Sequence, residues 1–324
     1  MRVVAGPATG TVLRVLAAGA VALLAGCAPA TLAVGPTGEL KRPSQAIAAA
    51  SSGDTILIAP GTYADCAVVK ASNVTIAGSG PGVVLTGKVC GGKAILVTRG
   101  DDITIRNLTL QHARDRDHNG AGIRSEGVNL TVDGVRFVDD EDGILAGNKR
   151  DSSIRVLNSD FEGNGTCAGA GGCAHGLYVA HIKRLDVENS RFYGQLEGHH
   201  IKSRALTTVV SGNQIADGPD GTASYEIDVP NGGSVDIERN KIEKGPKAQN
   251  WSAAIVIGEG GRIQPSKGIV IRNNTFANDN DHETIFVHNL TPDPARLSGN
   301  TFSGKVTPLR GPGEVIATRG GAGF

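Results

Sequence analysis

Hydrophobic and polar residues follow one short pattern that recurs along most of the chain. Eight segments of eight residues begin with alternating apolar and polar positions and end on Leu, Ile or Phe. Such alternation predicts a β-strand with one buried face, and a spacing of about 27 residues between segments predicts one coil of a solenoid per repeat. The segments are ITIRNLTL (103–110), LTVDGVRF (130–137), IRVLNSDF (154–161), LDVENSRF (185–192), TVVSGNQI (208–215), VDIERNKI (235–242), IVIRNNTF (269–276) and ARLSGNTF (295–302).

An asparagine or glycine stands at the fifth or sixth position of each segment. Asparagine tolerates the left-handed backbone conformation that a sharp corner needs, and side-chain amides stacked in successive coils can hydrogen-bond to one another. We therefore expect one column of asparagines at a corner of the solenoid, formed by Asn107, Asn158, Asn189, Asn213, Asn240, Asn274 and Asn300.

A second strand is expected between consecutive segments, because an aliphatic residue recurs there in every coil. Two clear strands per coil predict an all-β fold, a parallel β-solenoid. Residues 44–63 (SQAIAAASSGDTILIAPGTY) predict a short amphipathic helix and a turn before the first coil, so that the helix caps the open end of the stack. The recurring aliphatic residues are Ile123, Ile144, Leu177, Ile201, Ile227, Ile255 and Ile285.

The helical opening, the period and the asparagine corner resemble right-handed parallel β-helix proteins of the pectate-lyase-like superfamily. The resemblance spans about residues 40–305 and implies a single-stranded right-handed parallel β-helix. This fold carries lyases, hydrolases, epimerases and non-enzymes, so it implies no single activity. We expect a signal peptide over 1–27, a linker over 28–40, the β-helix over 41–310 and a tail over 311–324.

The N-terminus has the character of a targeting segment. Arg2 and Arg14 precede an apolar run over 15–26 that is too short for a permanent membrane span. The run ends in LAGC, which resembles a bacterial lipobox and implies lipidation of Cys27. Ala28 follows, which under the enterobacterial sorting convention implies the outer membrane; an ordinary signal peptide with an incidental cysteine is the alternative.

The other four cysteines indicate an oxidising compartment. Cys66 and Cys90 lie about one coil apart and are expected to bridge adjacent coils, and Cys167 and Cys173 are expected to close a small loop. A metal site is the alternative, but no Cys-x-x-Cys spacing occurs and no histidine accompanies either pair in a ligand pattern.

The charge balance gives no global signal for a polyanionic partner. The chain has 32 Lys and Arg against 32 Asp and Glu, so its formal net charge is zero. Any electrostatic steering is therefore local. We expect no nucleic-acid partner and a monomer.

Chemically reactive side chains concentrate on the second strand of three consecutive coils. If Ile201 points inward, Lys202 points outward, and the neighbouring columns are assigned by the same alternation. The expected outward residues are Tyr178, His200, Lys202, Arg204, Glu226 and Asp228, while His175, His199 and Tyr225 are formally inward at the strand edge. Flanking coils carry mainly Gly, Ala and Val at these columns, and the loop 162–175 is expected to wall a groove beside them.

This cluster suits β-elimination in a uronic-acid chain. Lys202 and Arg204 would neutralise the sugar carboxylate. Lys202, His199 or His200 would be the base, and Tyr178 or a histidine would protonate the leaving oxygen.

Residues 201–213 (IKSRALTTVVSGN) resemble the Lys–Ser strand of alginate-lyase and chondroitinase-B type β-helix lyases, which implies that activity. Those enzymes carry an Arg on the next coil, whereas this chain has Asp228 there and offers Arg204 instead. C5-epimerisation uses the same proton abstraction and stays open.

Three other interpretations stay open. Glu226 and Asp228, about 7 Å apart on one strand, fit an inverting glycoside hydrolase. A surface lipoprotein that only binds exopolysaccharide needs no catalytic group. Finally, Lys202 and Asp228 also fit a plain surface ion-pair ladder.

Additional candidates for binding substrate are Arg124, His175, Tyr225 and Trp251. Calcium is a candidate ligand at VDDEDG (138–143) or NDNDHE (278–283), but neither matches the EF-hand spacing and solvated turns explain both, so no metal ligand is assigned. The expected partners are an anionic polysaccharide and, through the lipid, a membrane.

Overall fold

The computed structural model describes Met1, residues 28–261 and residues 263–316. The predicted signal peptide up to Cys27 and the last residues of the predicted tail, 317–324, lie outside the described residues. Within the described ranges the chain forms one helix and 32 strands, which assemble into three parallel sheets.

The strands are numbered in chain order, and the chain visits sheet 1, sheet 3 and sheet 2 in turn. Sheet 1 contains β1 (Thr31–Val34), β2 (Thr55–Ile58), β5 (Thr75–Gly78), β8 (Ile103–Arg106), β11 (Leu130–Asp133), β14 (Lys149–Leu157), β17 (Ile182–Glu188), β20 (Thr207–Ser211), β23 (Ser234–Glu238), β26 (Ile269–Arg272), β29 (Ala295–Ser298) and β32 (Gly313–Ile316). Sheet 2 contains β4 (Ala67–Val69), β7 (Ala94–Thr98), β10 (Ala121–Ser125), β13 (Asp142–Ala146), β16 (Leu177–Val179), β19 (His199–Ser203), β22 (Tyr225–Val229), β25 (Ala253–Ile257), β28 (Thr284–Asn289) and β31 (Val306–Arg310). Sheet 3 contains β3 (Gly61–Tyr63), β6 (Val83–Thr86), β9 (Thr109–Gln111), β12 (Arg136–Val138), β15 (Asp160–Glu162), β18 (Arg191–Tyr193), β21 (Gln214–Ala216), β24 (Lys241–Lys244), β27 (Thr275–Asn278) and β30 (Thr301–Ser303).

The predicted parallel β-solenoid is confirmed, with three strands per coil instead of the expected two. Each repeated segment contains a corner that divides it between sheets 1 and 3. In 103–110, for example, β8 ends at Arg106 and β9 begins at Thr109, after a left-handed residue, Asn107, with φ of 55°. The closing Leu, Ile or Phe of each segment therefore belongs to a separate strand.

The asparagines that were predicted to form one column occupy two adjacent columns in the structure. Asn107, Asn158 and Asn189 have the left-handed conformation, which asparagine adopts more readily than most residues. Four others lie one position later and form an amide ladder. In that ladder Nδ2 of Asn213, Asn240 and Asn274 donates to Oδ1 of the next asparagine at 2.9–3.0 Å, ending at Asn300.

The helix α1 (Pro43–Ala49) is present where the sequence predicts one. Pro43 fits the first helical turn because its missing N–H would have no partner there, and Ala46 and Ile47 are buried in the core. Two other boundaries differ from the prediction. The expected linker contains β1, which precedes the helix and pairs with β2, the strand that follows the helix, and the expected tail contains β32, which pairs with β29. In the described part of the chain, no helix has the length and apolar character needed to cross a membrane.

The core follows the predicted aliphatic column through six coils. From Ile123 to Ile255 each member pairs in register with the next and has 0% exposure. At β28 the predicted column is shifted by two residues, because Val287 pairs with Ile255 while Ile285 pairs with Ala253. Both predicted disulfides, Cys66–Cys90 and Cys167–Cys173, are confirmed.

Candidate active site

Five side chains form a continuous row across sheet 2. Strand register pairs Arg124 with Leu145, Leu145 with Tyr178, Tyr178 with Lys202, and Lys202 with Asp228. Each residue belongs to a different coil, from β10 to β22. We call this set the groove row. The sequence alignment predicts the same neighbours, so the stacking that brings Tyr178, Lys202 and Asp228 together is confirmed.

The column before the buried aliphatic residues points into the solenoid, so its predicted outward assignment is wrong. The sheet 2 ladder pairs His199 with Tyr225 and Ile201 with Ile227 but skips His200 and Glu226, which have 1% and 0% exposure. In earlier coils this column holds glycine, and a Cβ at Gly122 would lie 2.7 Å from the ring of Phe137 in the core. Two successive inward positions break the simple alternation, a deviation of the kind that bulges produce.

The same break turns the preceding column outward. His175, His199 and Tyr225, expected to face inward, instead stack on one another outside the core. Ring centroids are 4.8 Å apart for His175 and His199 and 5.1 Å apart for His199 and Tyr225, with nearly parallel planes. Three aromatic rings therefore line the face of sheet 2 beside the groove row.

His200 and Glu226 belong to a polar group in the interior, which we call the interior cluster: His200, Asp217, Glu226 and Lys244. His200 Nε2 lies 3.0 Å from Asp217 Oδ1, and Lys244 Nζ lies 3.0 Å from Glu226 Oε1. Lys244 also donates to the carbonyl of Ser224 at 2.7 Å. All four residues have at most 1% exposure, so none of them can touch a polymer in the groove.

Burial and nearby charges shift the pKa values of the two carboxyl groups of the interior cluster in opposite directions. Burial raises the pKa of Glu226 well above its usual value, and the charge of Lys244 offsets only part of this. Burial also acts to raise the pKa of Asp217, but the hydrogen bond from His200 and the charges of His200 and Lys244 bring it below its usual value. Asp217, hydrogen-bonded to His200, is therefore the ionised carboxyl of the interior cluster, and Glu226 retains its proton.

A cavity of about 310 Å3 lies over the middle of the groove row; we call it the central cavity. Its lining includes His175, Tyr178, His199, Lys202 and Arg204, and the disulfide-closed loop contributes Gly171, Gly172 and Cys173. The predicted loop wall beside the cluster is thus present.

The two cationic side chains of the central cavity, Arg204 and Lys202, contact neighbouring polar and aromatic groups. Arg204 Nε donates to Tyr178 Oη at 3.2 Å, and Arg204 Nη1 donates to Asn231 Oδ1 at 2.6 Å. Lys202 Nζ lies 5.8 Å from the centroid of the Tyr178 ring and 3.4 Å from Asp228 Oδ2. Two cations and one phenol therefore converge on a single space.

Backbone hydrogen bonds fix the tautomers of the two stacked histidines. The N–H of His199 donates to His175 Nδ1 at 3.0 Å, and the N–H of Tyr225 donates to His199 Nδ1 at 3.1 Å. Burial and the neighbouring cationic groups lower the pKa of both imidazoles well below the usual value. Each ring is therefore neutral with its proton on Nε2, which makes it a hydrogen-bond donor and not a base; Nε2 of His199 lies 3.5 Å from Asp228 Oδ2.

Asp228 lies beneath the cavity with a fully buried side chain. Burial raises its pKa to about 7, with Lys202 acting in the opposite direction, so it titrates near neutral pH. His199, Asp228 and the exposed Glu259 are close enough to share a cation, with Lys202 Nζ beside the same carboxylate. His200, Asp217 and Glu226 form a second such group, but there the Lys244 ammonium already supplies the positive charge.

Comparison with known proteins identifies the family. The family model described as "right handed beta helix region" matches residues 149–321, more than half of the chain. The chain belongs to this family. No curated protein sequence matches it.

Several solved structures are similar to this chain at low sequence identity. An alginate lyase from Paenibacillus sp. str. FPU-7 is similar, with 21% identity, a TM-score of 0.61 and coverage of 88% of this chain and 99% of that one. ORF18 of Geobacillus virus E2 has 15% identity, a TM-score of 0.46 and coverage of 85% and 57%. The A-module of the Azotobacter vinelandii mannuronan C-5 epimerase AlgE4 has 16% identity, a TM-score of 0.42 and coverage of 86% and 94%. At these identities the likeness concerns the fold.

Two features of this β-helix lie away from the central cavity. Trp251, 45% exposed, stacks on His282 with centroids 4.5 Å apart and does not line this cavity. A larger cavity of about 610 Å3 lies at the corner of sheets 1 and 3, where Arg136 is the only charged lining residue. Arg136 is already paired with Asp160 and Glu162, so this cavity offers no free charge for chemistry.

The sequence interpretation missed Asp217 and Lys244, although a signal for them was present. Both lie two residues after a closing aliphatic residue, Ile215 and Ile242, and so on the same side of their strands. A charged residue in phase with a core residue is the pattern that indicates a polar interior.

Proposed function

We propose that this β-helix protein is a lyase or C5-epimerase acting on an anionic, uronic-acid-containing polysaccharide. The observation that carries the proposal is the convergence of Lys202, Arg204 and Tyr178 in one cavity on the face of sheet 2. A carboxylate placed between the two cations would bring its sugar ring against the phenol and the imidazole donors.

Both reactions begin with the same step. Neutralising the uronate carboxylate makes the C5 proton acidic, and a base removes it to leave a carbanion stabilised by the carboxylate. In elimination the electrons form a C4–C5 double bond, the bond from C4 to the glycosidic oxygen breaks, and an acid protonates that oxygen. In epimerisation a proton returns to C5 from the opposite face and no bond of the chain breaks.

The contacts favour particular roles for the residues of the cavity. Lys202 pairs with Asp228, so it serves as the cation that neutralises the uronate together with Arg204. His175 serves as a neutral Nε2–H donor to the same carboxylate, while His199 Nε2 faces Asp228. Tyr178 Oη accepts a hydrogen bond from Arg204, and in its ionised form it would be the base that takes the C5 proton and then, once protonated, the acid that delivers it to the leaving oxygen.

The inverting-hydrolase alternative lacks support from the geometry. Its two carboxylates would have to flank a sugar, but Glu226 lies inside the solenoid against Lys244. Asp228 alone does not supply an acid and a base.

The reaction is tested on a panel of uronic-acid polymers, beginning with alginate because the similar lyase is named for it. Elimination is read as ultraviolet absorbance of unsaturated ends, and epimerisation as deuterium incorporation at C5 in heavy water. Tyr178→Phe is expected to lower the rate about a hundredfold or more. The matched control Tyr193→Phe, on sheet 3, is expected to keep the full rate.

Three outcomes would contradict parts of the proposal. New reducing ends without absorbance would indicate hydrolysis. Binding without any product or deuterium exchange would indicate a non-catalytic binder. Equal loss of rate in the two tyrosine variants would remove Tyr178 from the chemistry.

We also propose that the protein is a monomeric bacterial lipoprotein, exported and anchored by lipid on Cys27 at the outer membrane. The lipobox-like LAGC motif and the two disulfides of an oxidising compartment support this location. An anchored β-helix would meet its polysaccharide outside the cytoplasm.

A further inference from the structure

A second cavity, of about 310 Å3, adjoins the central cavity at the N-terminal end of the groove row. We call it the Arg124 cavity. Tyr178 and the disulfide-loop residues Gly171, Gly172 and Cys173 line both spaces, so the two are neighbours along one groove. Leu145 forms an apolar part of its lining and is only 8% exposed.

The guanidinium of Arg124, which lines this cavity, is a cation without an anionic partner among the described residues. Its Nε is buried and has no hydrogen-bonding partner, and within residues 28–261 and 263–316 its guanidinium makes no ion pair. Buried polar nitrogens in proteins nearly always have a partner, so an unsatisfied one in a cavity wall calls for a ligand atom or a water. A guanidinium that presents free N–H groups is matched best by a carboxylate.

The acidic neighbours of Arg124 do not supply that carboxylate. Asp142 Oδ1 accepts the backbone N–H of His175 at 2.7 Å, and burial raises the pKa of Asp142 to about 8. Asp142 is therefore largely a neutral acid at neutral pH, able to donate a hydrogen bond. Asp117 lines the cavity as well, but it lies 3.6 Å from Arg116 in an exposed ion pair.

We propose that the Arg124 cavity is a second carboxylate-binding subsite for a uronate unit of the same polysaccharide chain. Arg124 would bind the carboxylate, Leu145 and Tyr178 would pack against the sugar faces, and Asn119 and Asn148 would meet hydroxyl groups at the rim. The inference rests on the proposed function for the identity of the ligand.

The distance between the two cationic subsites sets the length of a good ligand. Arg124 and Lys202 are three rungs apart in the groove row, which corresponds to about 14 Å at about 4.8 Å per rung. A single pyranose ring is too short to reach both cations. The affinity for oligouronates should therefore rise with length until both subsites are filled, and short oligomers should gain nothing from Arg124.

The test is an affinity series against oligouronates of increasing length, from the dimer upward. Binding is measured by calorimetry in the Tyr178→Phe background, which lowers turnover under the proposed mechanism but keeps both cations, and initial rates are measured with Tyr178 intact. Arg124→Gln is expected to weaken binding of the long oligomers about tenfold or more and to leave the dimer unchanged. Arg155→Gln removes the same charge from an exposed position of β14 on sheet 1 and is expected to change neither.

The outcomes separate this subsite from the proposed activity. Turnover by the wild type, with Arg124→Gln acting equally on all lengths or on none, would overturn the subsite and leave the activity standing. No turnover, with a length dependence that Arg124→Gln abolishes, would overturn the activity and support the subsite. Failure of every oligouronate to bind would overturn both.

Discussion

The interior cluster makes the sharpest prediction about the stability of this β-helix. Lys244 and Glu226 have 0% exposure, and Lys244 Nζ lies 3.0 Å from Glu226 Oε1 in a core that is otherwise largely aliphatic and aromatic. Lys244→Met keeps the length of the side chain but removes its charge and its hydrogen bond to Ser224. Glu226→Gln keeps the shape and removes only the ability to ionise.

The two substitutions should differ greatly in cost. The charge of Lys244 helps to keep the buried Asp217 ionised, so Lys244→Met removes part of the positive charge that stabilises this carboxylate and should lower the free energy of unfolding by about 3–5 kcal/mol. Glu226 holds its proton, so Glu226→Gln replaces one neutral group by another and should cost less than about 1 kcal/mol. The ranking follows from which carboxyl carries the charge.

The dependence on pH provides a second readout with a definite sign. The folded pKa of Glu226 is raised, so above its ordinary value of 4.5 the folded chain keeps a proton that the unfolded chain has released. Unfolding then releases a proton, and this group makes the wild type less stable as the pH rises. Glu226→Gln removes that contribution, so the variant should gain stability relative to the wild type as the pH increases.

Urea unfolding followed by far-ultraviolet circular dichroism measures both effects, and equal slopes against urea show that the same surface unfolds in each variant. Lys241→Met, at the exposed start of the same strand β24, is the control and should stay within about 0.5 kcal/mol of the wild type. A cost for Glu226→Gln as large as that for Lys244→Met would show that Glu226 is ionised and refute the reasoning. A cost below about 1 kcal/mol for Lys244→Met would show that the cluster is not closed to water.

Two further predictions concern other parts of the chain. Asp142→Asn keeps the acceptor for His175 N–H but cannot ionise. Because the pKa of Asp142 is raised from 3.8 to about 8 in the folded chain, the wild type should lose stability relative to this variant between about pH 4 and pH 8. Urea unfolding measures this, and parallel pH profiles of the two proteins would contradict the assignment. Cys27→Ser should release the protein from the membrane fraction or leave it unprocessed, and unchanged fractionation and size would contradict lipidation.

The fold was predictable because the sequence pattern that specifies it repeats in every coil. Each coil repeats the alternation and the corner residue, so an alignment of Ile123 through Ile255 reproduces the strand register without any tertiary knowledge. The groove row follows from the same alignment. The shift at Val287 was not predictable from that column, because Ile285 and Val287 are both aliphatic and both preserve the phase.

The site was predictable only in part, because one local irregularity reverses two columns. Strict alternation puts His200 and Glu226 on the outside and His199 on the inside, and the two successive inward residues at the start of β19 and β22 reverse this. The glycines at Gly122 and Gly143 were the available signal. They leave room for the stacked rings of Phe137 and Phe161, which only an inward column requires.

The groove row has a consequence for how specificity can change. The five residues of the groove row are neighbours in strand register across sheet 2, but each is encoded in a different coil with its own core residue and its own loop. A substitution in one coil can therefore change one position of the groove row while the backbone of the next coil is unaffected. The groove row is thus composed of separable positions, and under the proposed function the preference for each sugar unit could be changed by substituting one residue of the row.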